Sequence, residues 1–192
     1  MPVGDCENAF VDAARKHGVE LVRYTRPRLN QRGHFGLPDT ASAVAPPLGQ
    51  IFESLGGIAA EQSVKRTTPL PGDFIHVDTG TLIEVDEKQH FTSFRMRTFD
   101  FYPETSSLGF DVREYVSLCK QYAPSADKYR HAKSAVAFGI GGRQRQRAYY
   151  DALRDLATPA MGHPPLIRIA APEGNGKVAF DRNRERILEA VC

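Results

Sequence analysis

Residues 71–91, PGDFIHVDTGTLIEVDEKQHF, decide how this chain folds. Two runs rich in β-branched and apolar residues flank Asp78-Thr79-Gly80, the composition of a β-hairpin. Asp73, Asp78, Glu84 and Asp86 interrupt those runs with carboxylates. Side chains alternate across a strand, so Glu84 and Asp86 share one face and Ile83 and Val85 the other. A two-residue turn at Thr79-Gly80 pairs Asp73 with Asp86 and Ile75 with Glu84. A three-residue turn at 78–80 puts Val85 across from Asp73 instead. The first register is the expected one, because it sends Phe74, Ile83 and Val85 to one side and Asp73, Glu84 and Asp86 to the other.

Crowded carboxylates repel and raise one another's pKa unless a cation sits between them. Asp73, Glu84 and Asp86 are therefore read as metal ligands, while Asp78, at the turn, reads equally well as a solvated residue. An all-oxygen set favours Mg²⁺, with Mn²⁺ as a substitute, since these ions take one or two carboxylates together with waters and a substrate phosphate. Gln89 and His90 follow where the second strand ends, within reach of an attacking water, and histidine is the usual proton carrier near neutral pH. Lys88 flanks the same place and is a candidate for steadying charge.

The remaining composition sets bounds. The chain has 192 residues, 41% hydrophobic and 25% charged, which suits one core rather than two domains. No run of 18 apolar residues and no secretory leader is visible, so a soluble, cytoplasmic protein with no membrane partner is expected. Cys6, Cys119 and Cys192 show no metal-binding spacing and are read as reduced thiols. The net charge of +2 is uninformative, but arginines cluster at Arg23, Arg26, Arg28 and Arg32 and again at Arg143, Arg145 and Arg147. Arginine forks match phosphate, so both clusters are candidates for a nucleic-acid backbone; solvated surface is the plain alternative.

Along the chain, 6–17 reads as a helix, 33–47 as a Pro/Ala/Gly-rich linker or arm, and 48–55 as a helix ending at Gly56-Gly57. The hairpin follows, then an irregular stretch, 93–133, with one helix near 112–122, read as an insertion. AVAFGIGG reads as a short strand, RQRAYYDALRDLA as a helix, PLIRIA as a strand and DRNRERILEAV as a helix capped by Asp181. The order predicts an α/β domain with a mixed sheet over 48–192, preceded by a helix and arginine-rich arm over 1–47.

GDF…LIEVDEKQHF, with 11 residues from Asp73 to Glu84, resembles the Asp…Glu-x-Asp…Gln-His signature of the PD-(D/E)XK nuclease superfamily. Within it, the pattern is most similar to the very-short-patch-repair endonucleases and their short relatives. The resemblance covers about 48–92 and 134–192, including the closing helix, strand and helix, with Arg168 where such proteins place an arginine. It implies a restriction-endonuclease-like mixed sheet flanked by helices and a Mg²⁺-dependent DNA endonuclease, with a two-fold dimer if both strands are cut. Catalysis would then rest on Asp73, Glu84, Asp86, Gln89 and His90, and the backbone would be held by Arg26, Arg28, Arg143, Arg145, Arg147 and Arg168. Gln146 and Tyr150 echo a Q-x-x-x-Y helix motif of exonuclease branches, and Glu53 matches an accessory acid. The superfamily's lysine is absent, Asp86 standing in its place, so its task falls to His90, Lys88, Gln89 or a second metal ion. A catalytically inactive module binding nucleic acid or a partner protein, and an RNA-directed nuclease, are the alternatives.

Overall fold

A computed structural model of the protein describes residues 4–25 and 27–191. The readings of Arg26 and Cys192 lie outside the described residues. The chain runs through α1 (Asp5–Lys16), β1 (Leu21–Arg23), two 3₁₀ segments (Gly33–Gly36 and Asp39–Val44), α2 (Ala45–Ser54) and α3 (Ala59–Ser63). The hairpin strands β2 (Phe74–His76) and β3 (Leu82–Glu87) come next. A 3₁₀ turn (Lys88–His90), α4 (Ser93–Thr98), a further turn (Phe99–Phe101) and α5 (Val112–Ala126) follow, then α6 (Arg143–Ala160), β4 (Ile167–Ala171) and α7 (Gly176–Val191).

The four strands form one mixed sheet in the order β1-β2-β3-β4, antiparallel except for the parallel β3–β4 pair. A parallel pair needs a long crossover, and α4, α5 and α6 supply it. One sheet face is apolar: Phe74, Ile83, Val85, Ile167 and Ile169 pack with Phe10 and Ala14 of α1 and Phe180 and Ile187 of α7. The helices meet closely because residue 176 is glycine; a Cβ there would lie 1.8 Å from the Cys6 carbonyl oxygen. Across the sheet, α2 and α6 share a second core containing Leu48, Ile51, Phe52, Tyr149, Leu153 and Leu156.

Several expectations are corrected. Residues 4–47 are not an arm beside the compact unit: β1 pairs with β2, α1 covers the sheet, and Leu29 and Ala41 are buried. The apolar stripe of α1, Cys6, Phe10, Ala13 and Ala14, requires cover, and α7 provides it. The segment read as an insertion supplies Tyr115 and Cys119 to a third buried cluster, where they join Phe91 from just past the hairpin. Residues 135–142 form only an isolated bridge, Ala135 to Gly139, around a left-handed Ala137. Helix α7 starts five residues before Asp181, and the side chain of Asn175 accepts the Val178 N–H at 3.1 Å. Among the described residues no helix is long and apolar enough to cross a membrane.

The hairpin register also differs. Phe74 pairs with Ile83 and Ile75 with Leu82, and His76 and Thr81 close a four-residue loop, 77–80. The pairing is displaced by two residues from the expected register. A two-residue shift preserves which face each side chain occupies but changes its neighbour. The ladder therefore sets Asp73 across from Glu84, and Asp86 lies further along the strand.

Candidate active site

Helix α6 carries the pattern Arg143, Gln146, Arg147, Tyr150, Asp151, Arg154, spaced i, i+3, i+4, i+7, i+8, i+11, so these six residues form one stripe. The stripe makes one wall of a cavity of about 310 Å³. Asp73, Glu84 and His90 come to the same cavity from the hairpin, and Gln31, Leu70, Pro71 and Gly72 form the facing wall.

Asp73 and Glu84 are locked together through the backbone. The Asp73 N–H donates to Glu84 Oε1 at 3.2 Å, and the Val85 N–H donates to Asp73 Oδ2 at 2.8 Å. Burial and the neighbouring Glu84 charge push the Asp73 carboxyl well above its usual range. Burial likewise raises Glu84, only 5% exposed, although Arg154 and Arg168 work in the opposite direction. Among the described residues, Asp73 Oδ1 and Glu84 Oε2 accept no hydrogen bond, and both residues line the cavity.

Asp86 belongs to a different assembly. Arg168 Nη1 donates to both of its oxygens at 2.9 Å, and the Tyr115 hydroxyl donates to Oδ2 at 2.9 Å. Arg168 Nε donates to Asp155 Oδ1 at 2.7 Å, and Asp155 also holds Arg95 and accepts from the Tyr102 hydroxyl at 2.7 Å. Burial opposes the charge on Arg168, but Asp155, Asp86 and Asp151 outweigh it and keep the guanidinium ionised. His90 joins this network to the cavity: Nδ1 lies 2.9 Å from Asp151 Oδ2 and 3.2 Å from Asp86 Oδ1. Burial pushes Asp151 upward, yet His90, Arg168 and Arg154 hold its carboxyl far below the ordinary range.

The expected site residues are thus divided. Asp73, Glu84, His90, Arg143, Arg147, Gln146 and Tyr150 meet at the cavity. Asp86 does not join the carboxylate pair, because Arg168 and Tyr115 occupy it; among the described residues no three His, Cys, Asp or Glu side chains form a group that could hold a metal ion. Gln89 turns its amide to Glu87 at 2.7 Å, and only its carbonyl serves the site, accepting from Arg147 Nη1 at 3.1 Å. Lys88 is exposed beside a separate cleft, and Glu53 is exposed on α2 away from the cavity. Arg168 is fully buried and out of reach of any backbone phosphate. Arg145 is consumed by the carbonyls of Leu55, Phe138 and Ile140, and Arg28 ties down the hairpin loop at the Gly80 carbonyl.

Asp151 and Arg154 were missed by the sequence reading. Their signal was present in α6, where the polar i, i+4 stripe continues into the last turns of a helix otherwise built for burial.

A family of unknown function (DUF7255) matches residues 50–135. That stretch is less than half of the chain, and it holds Asp73, Glu84, Asp86 and His90 but ends before α6. No curated protein and no solved structure matches the chain.

Proposed function

We propose that this chain is a divalent-metal-dependent phosphodiester hydrolase on a restriction-endonuclease-like variant of the α/β fold, acting on DNA or RNA. The observation that carries the reading is the Asp73–Glu84 pair at the base of a cavity whose wall bears Arg143 and Arg147. Two carboxylates with raised pKa values lining one cavity, Glu84 buried and Asp73 partly so, fit an ion of the Mg²⁺ type, which needs only one or two carboxylates from the protein. When bound, such an ion polarises a phosphoryl oxygen and makes water a better nucleophile.

The chain's own residues supply the rest. Arg143, exposed at the first turn of α6, and Arg147, one turn deeper, are placed to hold backbone phosphates. His90 has Nδ1 committed to the buried acids, so Nε2 is the ring nitrogen left for a water in the cavity. Asp86 at the superfamily's lysine position does not argue against the site, because its charge is met by Arg168 rather than left facing the carboxylate pair.

The deciding experiment incubates the protein with labelled single- and double-stranded DNA and with RNA, in Mg²⁺, in Mn²⁺ and in EDTA, alongside Asp73→Asn and Glu84→Gln. Metal-dependent cleavage lost in both variants supports the reading. Retention of nucleic acid without cleavage of any substrate would replace it with a binding module.

A further inference from the structure

Residues 128–150 contain no Asp or Glu and carry six cations: Lys128, Arg130, Lys133, Arg143, Arg145 and Arg147. Within that stretch, the loop before α6 leaves two aliphatic side chains in solvent, Ile140 at 85% exposure and Val136 at 60%. Ile58, whose N–H donates to the Ala137 carbonyl at 2.8 Å, adds a third at 41%. One exposed aliphatic residue is ordinary, but three gathered at one loop form a patch.

The loop's own framework holds these side chains out. Ala137 and Phe138 are its buried anchors, and the Phe138 ring lies 5.1 Å from that of Phe52 and 5.9 Å from that of Tyr149. Arg145 Nη2 donates to the carbonyls of Phe138 at 2.7 Å and Ile140 at 3.2 Å, and Glu61 Oε2 accepts the Ala137 N–H at 2.8 Å. Ala137 is kept at φ 70°, which an alanine adopts only under constraint. The Arg143 N–H donates to the Lys133 carbonyl at 3.2 Å, so the two residues meet at the base of the loop. Gln146 Nε2 reaches the Val136 carbonyl at 3.4 Å, and both Gln146 and Arg143 line the cavity, so the loop adjoins it.

From this arrangement we infer that the 133–143 loop is a second nucleic-acid contact, outside the cavity, and that it fits duplex DNA: its flanking cations meet the phosphates along a minor groove, and Val136 and Ile140 press into the groove itself. The inference deepens the proposed reading, resting on it for a nucleic-acid substrate, and selects duplex DNA among the substrates that reading allows. Charge complementarity identifies a polyanion. The apolar residues identify its form. Proteins that hold single strands stack bases on aromatic rings, whereas aliphatic side chains enter the minor groove. The exposed ring of this stretch, Tyr129, already carries the Arg130 guanidinium at 5.1 Å. The minor groove of B-DNA, about 6 Å wide, closes around a single side chain; that of duplex RNA is wide and shallow and grips one poorly.

Fluorescence anisotropy in EDTA, with a labelled A·T-rich DNA duplex, its single strand and the corresponding RNA duplex, tests this. The parent should prefer the DNA duplex. Val136→Ser/Ile140→Ser should weaken that binding roughly ten- to a hundredfold, the range for taking such side chains out of water, with an unchanged salt slope because no charge is altered. Ile140→Met keeps an apolar side chain and should bind nearly as the parent does. Arg130→Gln and Lys133→Gln should each lower the salt slope by about one phosphate contact. Netropsin, which fills the minor groove of A·T-rich DNA, should displace the parent. All four positions are exposed, and thermal melting checks folding; should the double variant fail to fold, Ile140→Ser alone carries the same expectation. Duplex binding unchanged in the serine variants, tighter binding of the single strand or the RNA duplex by the parent, or no displacement by netropsin would overturn the inference and leave the reading of the cavity standing. A parent that binds no nucleic acid, in EDTA or in Mg²⁺, would overturn both.

Discussion

Arg168 Nη1 stands 2.9 Å from each carboxylate oxygen of Asp86, with 0% of one side chain and 1% of the other exposed. Removing one partner of a buried pair strands the other charge, and the cost is about 3–5 kcal/mol. Arg168→Met should therefore lower the unfolding free energy by that amount in a urea titration. Replacing Asp86 as well, in Asp86→Leu/Arg168→Met, should recover a large part of the loss. A single-variant loss under about 1 kcal/mol would show that the pair is solvated, against the placement seen here.

The raised carboxyls of Asp73 and Glu84 make a prediction about pH. A group whose folded pKa exceeds its unfolded value, about 3.9 for Asp and 4.3 for Glu, binds more protons folded than unfolded between the two values. Its contribution is complete in acid and is lost as pH rises through the raised folded value. In EDTA, Asp73→Asn should consequently melt higher than the parent at pH 7.5, and the difference should shrink toward pH 4.5. Mn²⁺ should stabilise the parent and not the variant, since an ligand bound only to the folded state raises its melting temperature. A variant that melts lower at every pH would mean that the carboxylate is held by attraction rather than strained by repulsion.

His90 connects the cavity to Asp151 and Asp86 through one ring nitrogen. If Nε2 moves a proton, His90→Ala should slow cleavage about a hundredfold to ten-thousandfold while Mn²⁺ affinity stays the same. A histidine that serves packing alone would lower the melting temperature and leave the rate of the folded fraction nearly unchanged.

Arg143, Arg145 and Arg147 lie within five residues of one another but have different tasks. Arg143→Ala and Arg147→Ala should each weaken nucleic-acid binding and reduce the dependence of log K on log salt by about one phosphate contact. Arg145→Ala should leave that slope unchanged and lower stability instead, because three carbonyls lose their donor. Equal slopes in all three variants would place the nucleic acid elsewhere.

What could be read from the sequence follows from the range of each interaction. Alternation along residues 73–86 separates Phe74, Ile83 and Val85 from Asp73 and Glu84, and the structure keeps that separation because the register moved by an even number. The loop at 77–80 could not be measured from its composition, since Asp78-Thr79-Gly80 suits turns of several lengths. That left Asp86 grouped with the wrong partner. The partner itself, Arg168, is 82 residues away, and Asp155 meets Arg95 across 60, so no local pattern joins them. Spacing along α6 did carry information about the site, because a helix places i and i+4 on one face whatever surrounds it. Arg145 lies off that face.

The parallel pairing of β3 with β4, across the whole crossover, has a consequence for synthesis. Asp73, Glu84 and Asp86 leave the ribosome well before Arg154 and Arg168, so the nascent chain presents the acidic hairpin ahead of the guanidinium groups that lie beside Glu84 and Asp86 in the folded protein. Water must solvate those carboxylates until the final third of the chain arrives. The cavity takes one wall from α6, and Asp86 is buried beneath Arg168 of β4, so both need the last part of the chain. An unfinished polypeptide accordingly has the acids but not the arginine-bearing wall that faces them, and the cavity is withheld until translation is nearly complete.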